Sequence, residues 1–425
     1  MTEPLPLVTV TGARQELTVV VPVRLLRTPE WDQGPYPFEM GGRRTDAETR
    51  ATYFAPASAR VLYGAPGRPR RWYRPASVVH DGMHLIGMEL LRTATARNPE
   101  HALAVLHFTV TRPLLPVVRA IAGRATTDDD AGVLTGPLDP AVLLDGLAEV
   151  VRGSGTFAVS RPYSVAFLTP EAGHEPALRA GYEGDLPDTA DRWLWQLASR
   201  STPADFPLAP ETAALELSRA VRISADWSAL VLRQGAAFLG HRADTGDGDF
   251  YAFGALHSRT VYLDALLLGS LQRDHIDELT DELSDVFDTG RLARRVATLE
   301  RNIAAFRSTY WRQHLTAHGP ANELLLAFQN QHRLPDRFEE ILAEAADYSR
   351  LVQTQESQQI SGALGTLTIL GLPLGTSLGV LQVVGDESIS HLLVALGISV
   401  VVTAGALATR YGRLVLASLR GGGSS

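Results

Sequence analysis

The sequence predicts an α+β protein made of a cytoplasmic α/β domain, a long helical stalk and a C-terminal two-helix transmembrane hairpin. Three observations carry this reading. Strand-like and helix-like segments alternate through residues 1–263, amphipathic helices take over at residue 264, and two uncharged apolar runs follow residue 359. The 425 residues are 45% hydrophobic and 20% charged, which excludes a disordered chain and leaves ample length for a large core. Cysteine is absent, so disulfide scaffolds, thiolate metal sites and cysteine nucleophiles are excluded. All 39 basic residues are arginine, which removes Schiff-base and P-loop lysines. Against 47 acids the formal net charge is −8, and no nucleic-acid partner is expected.

Runs rich in Val, Leu, Phe and Ile predict strands at Leu17–Leu25, Ala59–Tyr63, Met83–Glu89, Ala102–Thr109 and Ser164–Leu168. Apolar spacings of three and four predict helices at Leu114–Ala122, Ala141–Val151 and Thr189–Ala198. A later strand pair, Ala229–Arg233 and Phe250–Leu256, brackets the turn-rich stretch Asp244–Asp249. A partly antiparallel sheet follows from this mix.

Residues 264–359 read as a helical hairpin and stalk. The first helix sets Leu268, Leu271, Ile276, Leu279, Leu283 and Phe287 on one face, with Asp274, Asp277, Glu278, Asp281, Glu282, Asp285 and Asp288 around it. Thr289 and Gly290 break it. The second, from Arg291 to about Leu315, buries Leu292, Val296, Leu299, Ile303 and Phe306 and exposes Arg291, Arg294, Arg295, Arg301 and Arg307. A short turn between such helices makes them antiparallel neighbours. Pro335 suits the first position of a third helix, with Phe338, Ile341, Ala345, Tyr348 and Val352 on one side. No Pro or Gly interrupts it before Gly362, so the stalk continues into the first apolar run.

That run, residues 360–384, would span roughly 38 Å as a helix, against a hydrocarbon core of roughly 30 Å. A short loop, residues 385–390, carries Asp386 and Glu387, and residues 391–409 form the second predicted span. Arg410, Arg413 and Arg420 lie in the basic tail, residues 410–425. Positive-inside bias then places both termini in the cytoplasm of a multi-pass protein of the cell (inner) membrane, with the acidic loop outside. The opening MTEPLPLVTV has neither the basic start nor the apolar run of a signal peptide. Along the first span, Ser361, Gly365, Thr368, Leu372, Gly375, Gly379 and Gln382 recur at helical spacing. Such a small and polar stripe fits close helix packing, and it also fits a pore wall with constrictions at Leu364 and Leu372.

The arrangement resembles the CorA-type divalent cation channels. Those combine a cytoplasmic α/β domain, a stalk helix entering the first span, a short outside loop and a second span ending in basic residues. Locally, Leu364-Gly365 precedes Pro373-Leu374, and Gly379 opens Gly379-Val380-Leu381-Gln382-Val383-Val384, where the family has Gly-x-x-Gly-Met-Asn. The resemblance covers about sixty residues in detail. It implies a homo-pentamer in the lipid bilayer, with Ser361, Leu364, Gly365, Thr368, Leu372, Gly375, Gly379, Gln382 and Val384 lining a cation pore. It also implies a divalent ion, magnesium, as permeant or regulatory ion, gating by the cytoplasmic domain, and no enzyme activity. The departure is at the selectivity signature: Gln382-Val383-Val384 replaces Gly-Met-Asn, so a glutamine ring would have to offer the amide oxygens.

A second class stands beside the channel: an effector or signalling protein whose cytoplasmic domain senses a protein partner and opens an unselective pore or anchors an assembly. Other signals carry less. Gly375-Thr376-Ser377-Leu378-Gly379 fits G-x-S-x-G but lacks the strand that a nucleophile elbow requires. His314 and His318 have ligand spacing without the intervening acid of H-E-x-x-H. Asp244, Asp247 and Asp249 read as a hairpin turn rather than a cation loop. Arg68, Arg70, Arg71 and Arg74 around Trp72 and Tyr73 form a basic, aromatic patch that could grip a phosphate or a nucleic acid, against the acidic net charge.

Overall fold

A computed structural model describes residues 12–408, apart from 41, 94, 124–132, 152–161, 177–189, 203–204, 207–214, 247, 288–291, 312–315, 317–318 and 385–388. Its strands are β1 (Gly12–Leu25), β2 (Asp32–Gln33), β3 (Phe38–Met40), β4 (Arg43–Thr45), β5 (Gly64–Ala65), β6 (Arg68–Pro69) and β7 (Arg71–His80). These are followed by β8 (Met83–Arg92), β9 (His101–Val110), β10 (Ala148–Val150), β11 (Tyr163–Pro170), β12 (Val221–Arg222), β13 (Trp227–Val231) and β14 (Gly235–Gly240). The helices are α1 (Ala47–Ala51), α2 (Pro56–Tyr63), α3 (Leu114–Ile121), α4 (Pro140–Leu143), α5 (Ala190–Ser199) and α6 (Phe250–Arg259). The C-terminal part adds α7 (Val261–Ser284), α8 (Leu292–Thr309), α9 (Gly319–Gln331), α10 (Leu334–Val384) and α11 (Ile389–Ala408). The chain divides into two compact units, Met1–Glu278 with Ala304–Phe338, and Leu279–Ile303 with Glu339–Ser425.

In the first unit a ten-stranded sheet runs in the order β12-β13-β14-β11-β1-β9-β8-β7-β2, with β10 also paired to β1. Every pairing is antiparallel except β11 with β14, which is parallel with Ala166 opposite Ala237. The centre is β1, flanked by β9 with Val19 opposite Leu106, and by β11 with Leu17 opposite Ala166. Side chains alternate across a strand, so the sheet separates two environments. Leu17, Val19, Val21, Leu85, Leu90, Leu106 and Phe108 join α3 and α5 in one apolar core. Each fully buried Val, Leu or Phe there contributes about 1.5–3 kcal/mol. The alternate residues Thr18, Arg71, Glu89 and His107 are buried on the opposite face. A register shift between Leu85 and Gly87 keeps the pattern in phase, and Gly87 admits the Tyr36 ring, which a Cβ would meet at 2.3 Å.

The structure reassigns three predicted elements. Ala59–Tyr63 belongs to helix α2, which starts with Pro56 in its first turn and buries Ala57, Ser58, Val61 and Leu62. In place of the predicted helix 141–151 there is only the four-residue α4, Pro140–Leu143, before Gly146, at φ +69°, turns the chain into β10. Phe250–Leu256 is not a strand but the start of α6, because Asp249 caps its N-terminus through the Tyr251 amide. The predicted inner faces of the later helices fare better. Leu268, Leu271, Ile276, Leu279, Leu283, Val296, Leu299, Ile303, Phe306, Phe338, Ile341 and Ala345 are all buried, whereas Phe287 is 55% exposed.

The transmembrane hairpin of the predicted fold class, and with it the multi-pass placement, is corrected. Among the described residues no helix is long and apolar enough to cross a membrane. Residues 360–384 continue the 51-residue helix α10, and α11 follows at Ile389–Ala408. The chain is a mixed α/β protein built around one large sheet.

Candidate anion-binding groove

Of the predicted pore residues, Ser361, Leu364, Thr368, Gly375, Gly379 and Gln382 are exposed along α10. Gly365, Leu372 and Val384 lie on the same helix. The loop acids Asp386 and Glu387 and the arginines Arg410, Arg413 and Arg420 fall outside the described residues, as do His314 and His318. The basic patch is not gathered into one surface. Arg71 and Trp72 are buried, Arg92 covers the Trp72 ring at 5.3 Å, and Arg70 donates to the Tyr310 hydroxyl at 2.8 Å. Asp247 falls outside the described residues, while Asp244 and Asp249 are internally engaged: Asp244 accepts from Arg14 at 3.1 Å, and Asp249 accepts from both Arg242 amino groups at 2.8 Å. Hydrogen bonds from Arg242 hold the Asp249 carboxyl well below the usual carboxylate range. Among the described residues no group of three His, Asp or Glu is placed to hold a metal ion.

The densest cluster of charge lies on the polar side of the sheet and is closed to solvent. Asp264, at the start of α7, accepts from Arg71 at 2.6 Å, Arg50 at 3.3 Å and Tyr63 at 2.8 Å. Glu89 accepts from Arg71 and lies 2.7 Å from His107 Nε2, whose Nδ1 is 3.3 Å from the Thr18 hydroxyl. Burial alone would raise Glu89, but the Arg71 charge and the His107 hydrogen bond hold it far below its usual value. Arg259 pairs with Glu16 at 2.8 Å and donates to the Phe108 carbonyl at 2.6 Å. Three guanidiniums thus meet three carboxylates. With Arg71, Glu89 and Asp264 at 0% side-chain exposure no ligand reaches them, so the cluster fixes α1, α2, α6 and α7 on the sheet.

An accessible site lies at the other end of the sheet. The terminal strand β12 and its neighbour β13 form one side of a groove of about 910 Å³, and α9 forms the other. Arg219, Arg222, Arg233 and Arg333 line it, against Glu216 and Glu323. Arg219 is held by Glu216 at 2.8 Å and Arg333 by Asp336 at 3.1 Å. Arg222 and Arg233 are exposed and, among the described residues, have no carboxylate within salt-bridge distance. Arg233 donates through Nε to the Gln331 carbonyl at 2.8 Å, which anchors its stem and leaves the two amino groups for a ligand. Leu326, 47% exposed, adds an apolar patch.

Behind Arg222 sits a buried pair. His241, at the end of β14, has Nε2 2.8 Å from the Ser228 hydroxyl, while its Nδ1 is 3.1 Å from Arg222 Nη1 and 3.2 Å from the Ala225 carbonyl. Burial depresses His241; the Ala225 carbonyl opposes that shift and Arg222 adds to it. Asp191 of α5 is raised by burial, against the pull of Arg222 and His241. The sequence reading missed this groove, because its arginines are spread over more than one hundred residues and only the sheet order brings them together. Family models, curated proteins and solved structures were each compared with the chain, and none matches it.

Proposed function

We propose that the protein is a partner-sensing effector or signalling protein whose first unit binds an acidic peptide segment of a partner protein in the groove beside β12. The observation that supports this is the pair Arg222 and Arg233, exposed and with no carboxylate in salt-bridge distance among the described residues. A guanidinium is always charged and matches a carboxylate with two parallel N–H donors. The terminal strand favours an extended segment over a compact ligand, and Leu326 can meet an apolar side chain of that segment. The C-terminal helices would then hold copies of the chain together as the output of sensing. Cation passage, which the CorA-type resemblance implies, requires membrane-crossing helices, and none qualifies among the described residues.

The test is fluorescence anisotropy of a labelled hexaglutamate peptide titrated with the full-length protein, beside a hexalysine control. Hexaglutamate should bind, more weakly as salt rises, and hexalysine should not. The variant Arg222→Glu/Arg233→Glu should bind at least about tenfold more weakly, the loss of one or two charge-assisted contacts. Equal binding by the charge-reversed variant would sink the reading.

A further inference from the structure

His241 Nδ1 stands between a donor and an acceptor, and only one of them can be served at a time. A guanidinium has no acceptor, so Arg222 Nη1, at 3.1 Å, can only donate to a bare Nδ1 lone pair. The Ala225 carbonyl, at 3.2 Å, can only accept from a protonated Nδ1. With Arg222 docked, Nδ1 is bare and the Ala225 carbonyl goes without that bond. With Nδ1 protonated, its N–H points at the N–H of Arg222 and the two repel. Arg222 docking and a doubly protonated His241 therefore exclude one another. The same Arg222 lines the groove.

We infer that an acidic ligand group drawing Arg222 into the groove is bound together with one proton, taken from solvent onto His241. This rests on the groove as the ligand site. As Arg222 swings to the ligand, Nδ1 takes the proton and donates to the Ala225 carbonyl, while Nε2–H donates to the Ser228 hydroxyl at 2.8 Å. No bond to the ligand forms; the ring gains one proton and one positive charge. The surroundings can hold that charge. Asp191 of α5 and Asp226 of the β12–β13 turn both favour the imidazolium. Against it stand burial and Arg222, with Arg242 next in the chain. From α6 the Tyr251 hydroxyl accepts from the His241 and Arg242 backbone amides, at 3.0 and 3.2 Å, and donates to the Asp226 carbonyl at 2.6 Å. Moving Arg222 away removes one of the opposing influences and frees Nδ1 for the Ala225 carbonyl, so the arginine serves both as ligand contact and, with burial, as a group that keeps His241 neutral in the empty groove.

The test is calorimetric titration of full-length protein with hexaglutamate at pH 7 in two buffers of different ionisation enthalpy, cacodylate and imidazole. The peptide's own carboxylates are already ionised there, so a difference in observed heat between buffers reports proton uptake by the protein. Expected are net uptake that grows as pH falls from about 7 towards 6 and an affinity that tightens over the same range, by less than about tenfold per pH unit. His241→Gln should keep binding but lose both the buffer difference and the pH dependence. Binding by the wild type with no buffer difference, or undiminished uptake in His241→Gln, overturns the coupling and leaves the groove intact. Failure of hexaglutamate to bind at all overturns the groove reading and the coupling with it. The wild-type buffer comparison needs no variant to fold.

Discussion

Asp264 shows how one side chain can hold distant parts of the chain together. It accepts from Arg50, Arg71 and Tyr63, residues some two hundred positions away, with no exposure of its own. Such a group contributes little net energy while its partners are present, because desolvation offsets the attraction. Removing its charge is different, since Arg71 would remain buried with half of its compensation gone. Asp264→Asn should therefore lower the unfolding free energy by about 3–5 kcal/mol in urea denaturation. Asp336→Asn, at an exposed pair with Arg333, should change it by less than about 1 kcal/mol. Similar losses in the two variants would contradict the role assigned to the buried cluster. None of this was legible beforehand. Arg71 sits in a run of arginines that reads as a surface patch, and only strand alternation turns it inward beside Glu89 while Arg74 stays in water.

At the level of elements, the sequence was most informative where apolar spacing was long and unbroken. The inner faces of α7, α8 and the first turns of α10 appear where periods of three and four put them. It misled in short segments, where a few apolar residues fit either period: α2 and the start of α6 read as strands until Pro56 and the Asp249 cap decided otherwise. Helix α7 also hides a close approach that no periodicity reveals. A Cβ at Gly269 would stand 2.6 Å from Cδ1 of Phe328 on α9, and that ring is fully buried. Gly269→Ala should therefore destabilise the protein by about 1–3 kcal/mol, although alanine is the better helix former. Gly371→Ala, with open space around its Cβ, should instead be neutral or stabilising by up to about 1 kcal/mol. Thermal melts of the two variants moving in the same direction would refute the packing argument.

For the whole molecule, composition and segment order indicated a mixed α/β protein, but strand order was out of reach. The parallel neighbours β11 and β14 are separated in sequence by α5 and two strands, and nothing local encodes their pairing. The groove inherits that opacity, since it exists only once β12 has become the end of the sheet. The C-terminal runs were read as bilayer spans, and the described helices do not meet that standard. What they do present is apolar surface in the open: Leu393, Val394, Ile398, Val400, Val401 and Val402 on α11 are each more than half exposed. Contiguous apolar surface of that kind is covered by association. In light scattering after size exclusion, the full-length protein should run as an oligomer, and Ile398→Glu/Val401→Glu should shift it towards the monomer. An oligomer unchanged by the double variant would place the interface elsewhere, and recovery only with added lipid would replace copies of the chain with lipid as the cover.

The central position of β1 has a consequence for how the protein is made. The ribosome delivers this strand before the other described strands of the sheet, with Leu17, Val19, Val20, Val21 and Val23 ready to be buried. Its first neighbour, β9, begins only at His101, and its second long neighbour, β11, at Tyr163. At about 5–20 residues per second the strand waits roughly 4–15 s for β9 and longer for β11. Throughout that interval both of its edges are open to any other extended chain. Nascent copies on one messenger are therefore each other's nearest hazard, and the yield of folded protein depends on how well β1 is shielded before residue 170 emerges.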